Sequence, residues 1–265
     1  MSELPSPSEA RGSPERFGYS WERFSDLTPE QEEQFNRWTA PLKPADWAGK
    51  RFLDVGCGAG RNSYWAMARG AAGGLAVDVD QRSLNAARRN LAPFPTVEVR
   101  HLSAYDLPAE PLFDIVFSIG VIHHLDAPEA AVARMVAATR PNGRVLVWLY
   151  GYENNEWVVR FFDPVRRAVF SRLPLSVVHF LSLPLTAMLW VFLRAGLGRI
   201  EYFCLLRAFP FHHLRHVVFD HMVPRIARYY SSEEAKKLLT DQGLVDLELI
   251  WVNGMSWTAM GRKPS

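Results

Sequence analysis

Phe52-Leu-Asp-Val-Gly-Cys-Gly-Ala-Gly60 is the stretch from which the fold is read. Phe52, Leu53 and Val55 surround a single acid, Asp54. Glycines then fall at the alternate positions 56, 58 and 60, ahead of a helix-compatible run. The pattern predicts a buried strand that ends in a tight turn and opens a helix. Glycine has no Cβ and tolerates positive φ, so a ligand can approach such a turn closely. The first N–H groups of the helix behind it are free to meet a carboxylate or phosphate. A nucleotide-like ligand is therefore expected here.

Outward from this stretch the chain alternates. Strands are expected at 51–55, 74–79, 96–100, 113–119 and 144–150, and helices at 61–69, 81–90 and 128–139. Pro141-Asn-Gly143 is expected to turn the chain into the strand at 144. A further helix is expected at 30–39, with Pro29 in its first turn. After Tyr230 the order resumes. Ser231-Ser-Glu-Glu234 is an N-cap with acids in the first turn, followed by a helix to Gln242 and strands at 244–252 and 256–261. This order predicts an α/β, doubly wound, Rossmann-like sheet. The expected organisation is a disordered leader over 1–15, a ligand-binding domain over 16–150 and 229–265, and an inserted helical cap over 151–228.

Composition narrows the function. With 265 residues and 48% hydrophobic content a sizeable core can form. The formal net charge of +2 shows no excess suited to nucleic acid. Cys57 and Cys204 are too few for a disulfide framework or a zinc pattern, which fits a reducing, cytoplasmic compartment. No signal peptide is expected at the start of the chain.

A dinucleotide fingerprint wants a third glycine at position 61, where this chain has Arg61. The second strand ends at Asp78, whose carboxylate can accept hydrogen bonds from both hydroxyls of a ribose. Five stretches in order then resemble the class I S-adenosylmethionine-dependent methyltransferases, of the small-molecule kind. They are Leu53–Gly60, Ala76-Val-Asp-Val79, Leu102-Ser-Ala-Tyr-Asp-Leu-Pro108, the stretch Phe113 to Leu125, and Arg140-Pro-Asn-Gly-Arg-Val-Leu146. The resemblance implies a seven-stranded sheet with an antiparallel last strand, and S-adenosyl-L-methionine as cofactor. It places Asp54, Gly56, Cys57 and Gly58 at the methionine and ribose parts, Asp78 and Val79 at the ribose, Ser103 and Ala104 at the adenine, and Ile119 and Gly120 near the methionine end. Ser103 stands where the family often has Asp, so the adenine contact loses charge assistance.

The sulfonium methyl is already activated, so transfer is an in-line displacement in which positioning supplies much of the rate. A base is needed only for an acceptor that must lose a proton. His123 and His124 follow the fourth strand and are the catalytic candidates, with a structural role as the alternative. Tyr19 and Trp21, within the aromatic run 17–24, are expected to close over cofactor and acceptor. Tyr150 and Tyr152, after strand five, and His221 in the cap are further acceptor-contact candidates. His212 and His216 have the i, i+4 spacing of metal ligands but no supporting cysteine, and no metal is expected. The aromatic cap, with its uncharged run 173–193, favours a small apolar acceptor, with O-methylation as the leading reaction. A macromolecular acceptor, or a silent cofactor-binding partner, is the alternative; no nucleic-acid partner is expected.

Residues 173–193 contain no Asp, Glu, Lys or Arg and are flanked by Arg172 and Arg194. The run is long enough to span a bilayer. Pro174 and Pro184 are expected to divide it into two short helices, and the last strands must return to the first sheet. A buried cap core is the expected role; a peripheral membrane face or a hairpin through the bilayer are the alternatives.

Overall fold

The computed structural model describes residues 16–18, 27, 29–197 and 201–265. Seven strands form one sheet: β1 Arg51–Val55, β2 Gly73–Asp78, β3 Val97–His101, β4 Phe113–Ile119, β5 Thr139–Tyr150, β6 Val245–Val252 and β7 Ser256–Arg262. Their order is β3-β2-β1-β4-β5-β7-β6. The first five are parallel, and β7 runs antiparallel between β5 and β6.

Alternation along the strands sends side chains to opposite faces. Leu53, Val116, Val145 and Val147 meet Met135 and Ala131 of α4 (Pro128–Ala138) and Leu238 and Leu239 of α9 (Ser232–Thr240). Phe52, Ala76, Phe117 and Leu146 face the other way. They pack on Phe35 of α1 (Pro29–Trp38), Ala66 of α2 (Arg61–Ala68) and Leu84 of α3 (Gln81–Asn90). Burial of each large side chain contributes roughly 1.5–3 kcal/mol. Asp80 caps α3 by accepting from the Arg82 and Ser83 N–H groups. Ser231 and Glu234 close a reciprocal capping box on α9.

Two local expectations are corrected. Strand β5 begins at Thr139, before the Pro141–Gly143 turn, because the turn bulges out between the pairs Phe113–Thr139 and Ile115–Arg144. Pro174 and Pro184 do not divide the apolar run. Pro174 is the N-cap of one continuous helix, α6 (Leu175–Arg194), and Pro184 lies inside it. Proline removes one helical donor and crowds the preceding turn. The carbonyl left without that donor is the one four residues back, at Phe180; one residue earlier, the His179 carbonyl accepts from Ser182 Oγ at 2.7 Å and Arg215 Nη2 at 2.7 Å.

Segment 151–228 also contains a π-helical turn at 158–162, α5 (Asp163–Ala168), α7 (Glu201–Ala208) and α8 (Phe211–Met222). Helix α6 lies along α8 through a buried stripe of Val178, Ser182, Thr186 and Leu193.

Candidate active site

The strand order reverses between β1 and β4, which opens a crevice at the C-terminal ends of the strands. A cavity of about 280 Å³ begins there and continues under the cap. Its first half is walled by Gly56, Cys57, Asp78, Val79, Ala104, Ile119 and Gly120, together with Arg61 and Asn62 at the start of α2. Gly56 has φ +76°, and a Cβ there would lie 2.3 Å from Val121 Cγ2, so the turn requires glycine.

Two acids organise this half. Asp78 Oδ2 accepts from the Gly58 N–H and Oδ1 from the Asp80 N–H, both at 2.9 Å. Burial raises its pKa, against the pull of those backbone donors. Asp54 sits behind the turn. Its Oδ2 accepts from Ser63 Oγ at 2.7 Å, while Oδ1 is buried with no hydrogen-bond partner among the described residues. Burial pushes the Asp54 carboxyl up to about 7; the Ser63 bond opposes this and the Asp78 charge adds to it.

The second half of the cavity is built from both domain and cap. Strand β5 contributes Trp148 and Tyr150, two residues apart and therefore on one face. The cap adds Tyr202 and Leu206 from α7, and His213, His216, Asp220 and His221 from α8; Tyr229 lies just beyond. Tyr150 is stacked between His123, with centroids 4.0 Å apart, and His221, at 5.7 Å. Burial raises the phenol pKa of Tyr150 and Tyr202, and that of Tyr229 to about 12, so all three are hydroxyl donors at neutral pH.

His124 lines the cavity. Its Nδ1 lies 2.7 Å from the Ile226 carbonyl, which can only accept, so Nδ1 carries the proton and Nε2 the lone pair. Burial holds its pKa at about 4, against that hydrogen bond. The imidazole is therefore neutral in the physiological range. Burial, and then the neighbouring His124, likewise lowers His123.

Of the candidates named from sequence, Gly56, Cys57, Asp78, Val79, Ala104, Ile119, Gly120, His124, Tyr150 and His221 line one cavity. Asp54 and Gly58 stand behind its wall. His123 is buried beneath Tyr150 and is not part of the lining. Ser103 is also off the lining, with Oγ accepting from the Tyr105 N–H at 3.1 Å. Tyr152 is 44% exposed on the surface. Tyr19 and Trp21 lie outside the described residues; Phe17, from the same run, lines the cavity with its ring 4.9 Å from that of His124. His212 is exposed, whereas His216 Nε2 lies 2.9 Å from Asp220 Oδ2, within ion-pair reach though not aligned as a hydrogen bond.

Arg61, noted in the sequence only as a departure from the dinucleotide fingerprint, and Trp148, Tyr202 and Tyr229 are lining residues not expected from sequence. Arg61 and Trp148 carried a signal, since one opens the helix behind the glycine turn and the other shares a strand face with Tyr150. Tyr202 and Tyr229 reach the cavity only through the packing of the cap.

Residues 53–147 match a protein-family model described as a methyltransferase domain. The ubiquinone biosynthesis O-methyltransferase of Aromatoleum aromaticum is 33% identical over 128 residues, covering 47% of this chain and 54% of that one. The tRNA U34 carboxymethyltransferase of Methylococcus capsulatus is 35% identical over 127 residues, covering 47% of this chain and 39% of that one. The chain thus spans about half or less of the length of these curated relatives. The Burkholderia thailandensis 1,6-didemethyltoxoflavin-N1-methyltransferase, solved with its acceptor and S-adenosylhomocysteine bound, has a TM-score of 0.59 to this chain at 19% identity. That alignment covers 100% of this chain and 93% of that one, and shows likeness of fold.

Proposed function

We propose, from the methyltransferase-domain match of residues 53–147, that the protein transfers the methyl group of S-adenosylmethionine to a hydroxyl of a small, largely apolar molecule. The observation that carries the proposal is the continuity of one cavity from the glycine turn to a chamber roofed by the cap. The Asp78 carboxylate and the Gly56–Gly58 backbone would hold ribose and methionine, with the guanidinium of Arg61 near the cofactor carboxylate. The acceptor would lie between Trp148, Tyr150 and the α7–α8 wall.

As the oxygen attacks the methyl carbon, the C–S bond breaks and the electron pair leaves with sulfur. The hydroxyl proton becomes strongly acidic as the O–C bond forms. Even a weakly basic imidazole can then take it, and His124 Nε2 is a neutral lone-pair nitrogen in the cavity wall. Among the described residues the cavity wall carries one arginine, Arg61, and no lysine, which is not a row suited to a polynucleotide backbone. A small-molecule acceptor is favoured for that reason, although relatives of the shared domain include tRNA-modifying enzymes.

The test is calorimetry with S-adenosylmethionine, followed by assay of S-adenosylhomocysteine release over a panel of apolar phenols and quinols, with tRNA in parallel. Cofactor binding that Asp78→Ala abolishes, with turnover on a phenol or quinol, supports the proposal. Absence of cofactor binding, or turnover confined to tRNA, rejects it.

A further inference from the structure

Helix α6 buries one stripe against α8 and leaves the opposite stripe to solvent. Phe180, Met188 and Val191 are 69, 70 and 61% exposed, at the i, i+8 and i+11 positions of one helical face. In the π-helical turn at 158–162, Phe161 is also 67% exposed. Soluble monomers rarely leave so continuous an apolar surface uncovered. Helix α6 is 20 residues long with a mean hydropathy of 1.8, yet its buried stripe ties it lengthwise to the body. It can lie on an apolar phase but cannot cross one without leaving α8.

The charges around this face name the phase. Between residues 157 and 197 the single acid, Asp163, is buried and paired with Arg166 and with the exposed Arg167. The exposed charged side chains there are Arg160, Arg167, Arg172 and Arg194. Arg172 and Arg194 stand at the two ends of the helix, and the Arg194 guanidinium lies 5.0 Å from the centre of the Trp190 ring. Apolar side chains between terminal arginines, with an interfacial tryptophan, match a surface that sinks shallowly among acyl chains while its cations meet phosphate headgroups.

We infer that the outer face of α6, with the segment leading into it, docks the protein on an anionic lipid bilayer. The chamber is one helix behind this surface, because α8 presents Phe219 and Met222 to α6's side of the cap and His213, His216 and His221 to the cavity. An acceptor dissolved in the bilayer would then be close to its site. That corollary rests on the proposed methyl transfer, whereas the docking does not.

The experiment is co-sedimentation of the full chain with phosphatidylcholine vesicles, with and without phosphatidylglycerol, at low and high salt, beside light scattering of the lipid-free protein. Expected is binding to the anionic vesicles that falls at least tenfold at high salt and in Phe180→Glu/Met188→Glu/Val191→Glu. The variant should keep the wild-type affinity for S-adenosylhomocysteine, which shows that it is folded. A second variant, Arg172→Gln/Arg194→Gln, leaves the apolar face intact and should weaken anionic binding alone. Failure to bind any vesicle, or equal binding to neutral and anionic vesicles, overturns the inference. So does a dimer that the triple substitution splits without vesicle binding, since the face would then belong to a second copy.

Discussion

Asp54 is held in a state that favours its neutral form, with a carboxyl near 7 and one oxygen without a partner. S-Adenosylmethionine seated as proposed would bring a sulfonium and an ammonium cation nearby, and these would stabilise the carboxylate. Cofactor binding should therefore release a proton near neutrality, and affinity should weaken by up to about tenfold per unit as pH falls from 7.5 to 6. Calorimetry in two buffers of different ionisation heat counts that proton. In Asp54→Asn the release should vanish and affinity should fall, while the ligand-free protein gains stability at pH 8 because a buried charge is gone. Proton release that persists in Asp54→Asn assigns it elsewhere. His124 can be dissected by shape. An asparagine amide can replace Nδ1–H towards Ile226 but leaves nothing at Nε2, so His124→Asn separates the hydrogen bond from the base. We expect turnover to drop roughly a hundredfold or more, with S-adenosylhomocysteine affinity unchanged. Wild-type turnover would leave His124 a purely structural role. Both residues were legible in the sequence as motif positions, but their protonation states were not, because those depend on burial.

At the scale of elements, the glycine turn tolerates little. Gly56→Ala would place a side chain in left-handed backbone at a cost of about 1–2 kcal/mol and press it onto Val121. It should lower both the melting temperature and cofactor affinity, whereas loss of stability alone would show that the cofactor does not approach this backbone. Ser231→Ala offers the contrast, since it removes half of a capping box remote from the cavity. It should cost about 1 kcal/mol, a shift of about 2–4 °C, with affinity intact. The strands and domain helices could be read to within a residue or two at most ends because a period of two or 3.6 is a local signal. Strand β5 was read short because its bulge at Asn142, which has φ 62°, looks like a turn from sequence. Helix α6 was misread for a different reason. It is held along α8 by Arg215, which reaches Ser182 Oγ and the His179 carbonyl from another helix, a contact that no local pattern reveals.

Across the whole molecule, domain and cap share one ligand-sized cavity, so stability should report on its occupancy and its protons. S-Adenosylhomocysteine at a hundredfold excess over its Kd should add about 2.7 kcal/mol. The acid side is set by opposing groups. His123, His124 and His221 are all pushed down by burial, His124 to about 4. Unfolded imidazoles take up protons near 6.5, so below that pH the unfolded state binds more protons and stability falls as pH drops towards 4. Asp54 and Asp78 act in reverse, because their raised pKa values let the folded state hold protons that the unfolded state has lost. Each histidine kept neutral in the folded state contributes a fall of up to about 1.4 kcal/mol per pH unit below 6.5, and each carboxyl that stays protonated opposes it. The balance between the two sets is read as the slope of urea midpoints between pH 5 and 7. The two sets can be separated by substitution. Asp54→Asn removes an opposing proton and should steepen the slope, while His124→Asn removes a driving one and should flatten it. If both variants keep the wild-type slope, the acid sensitivity arises outside this cavity.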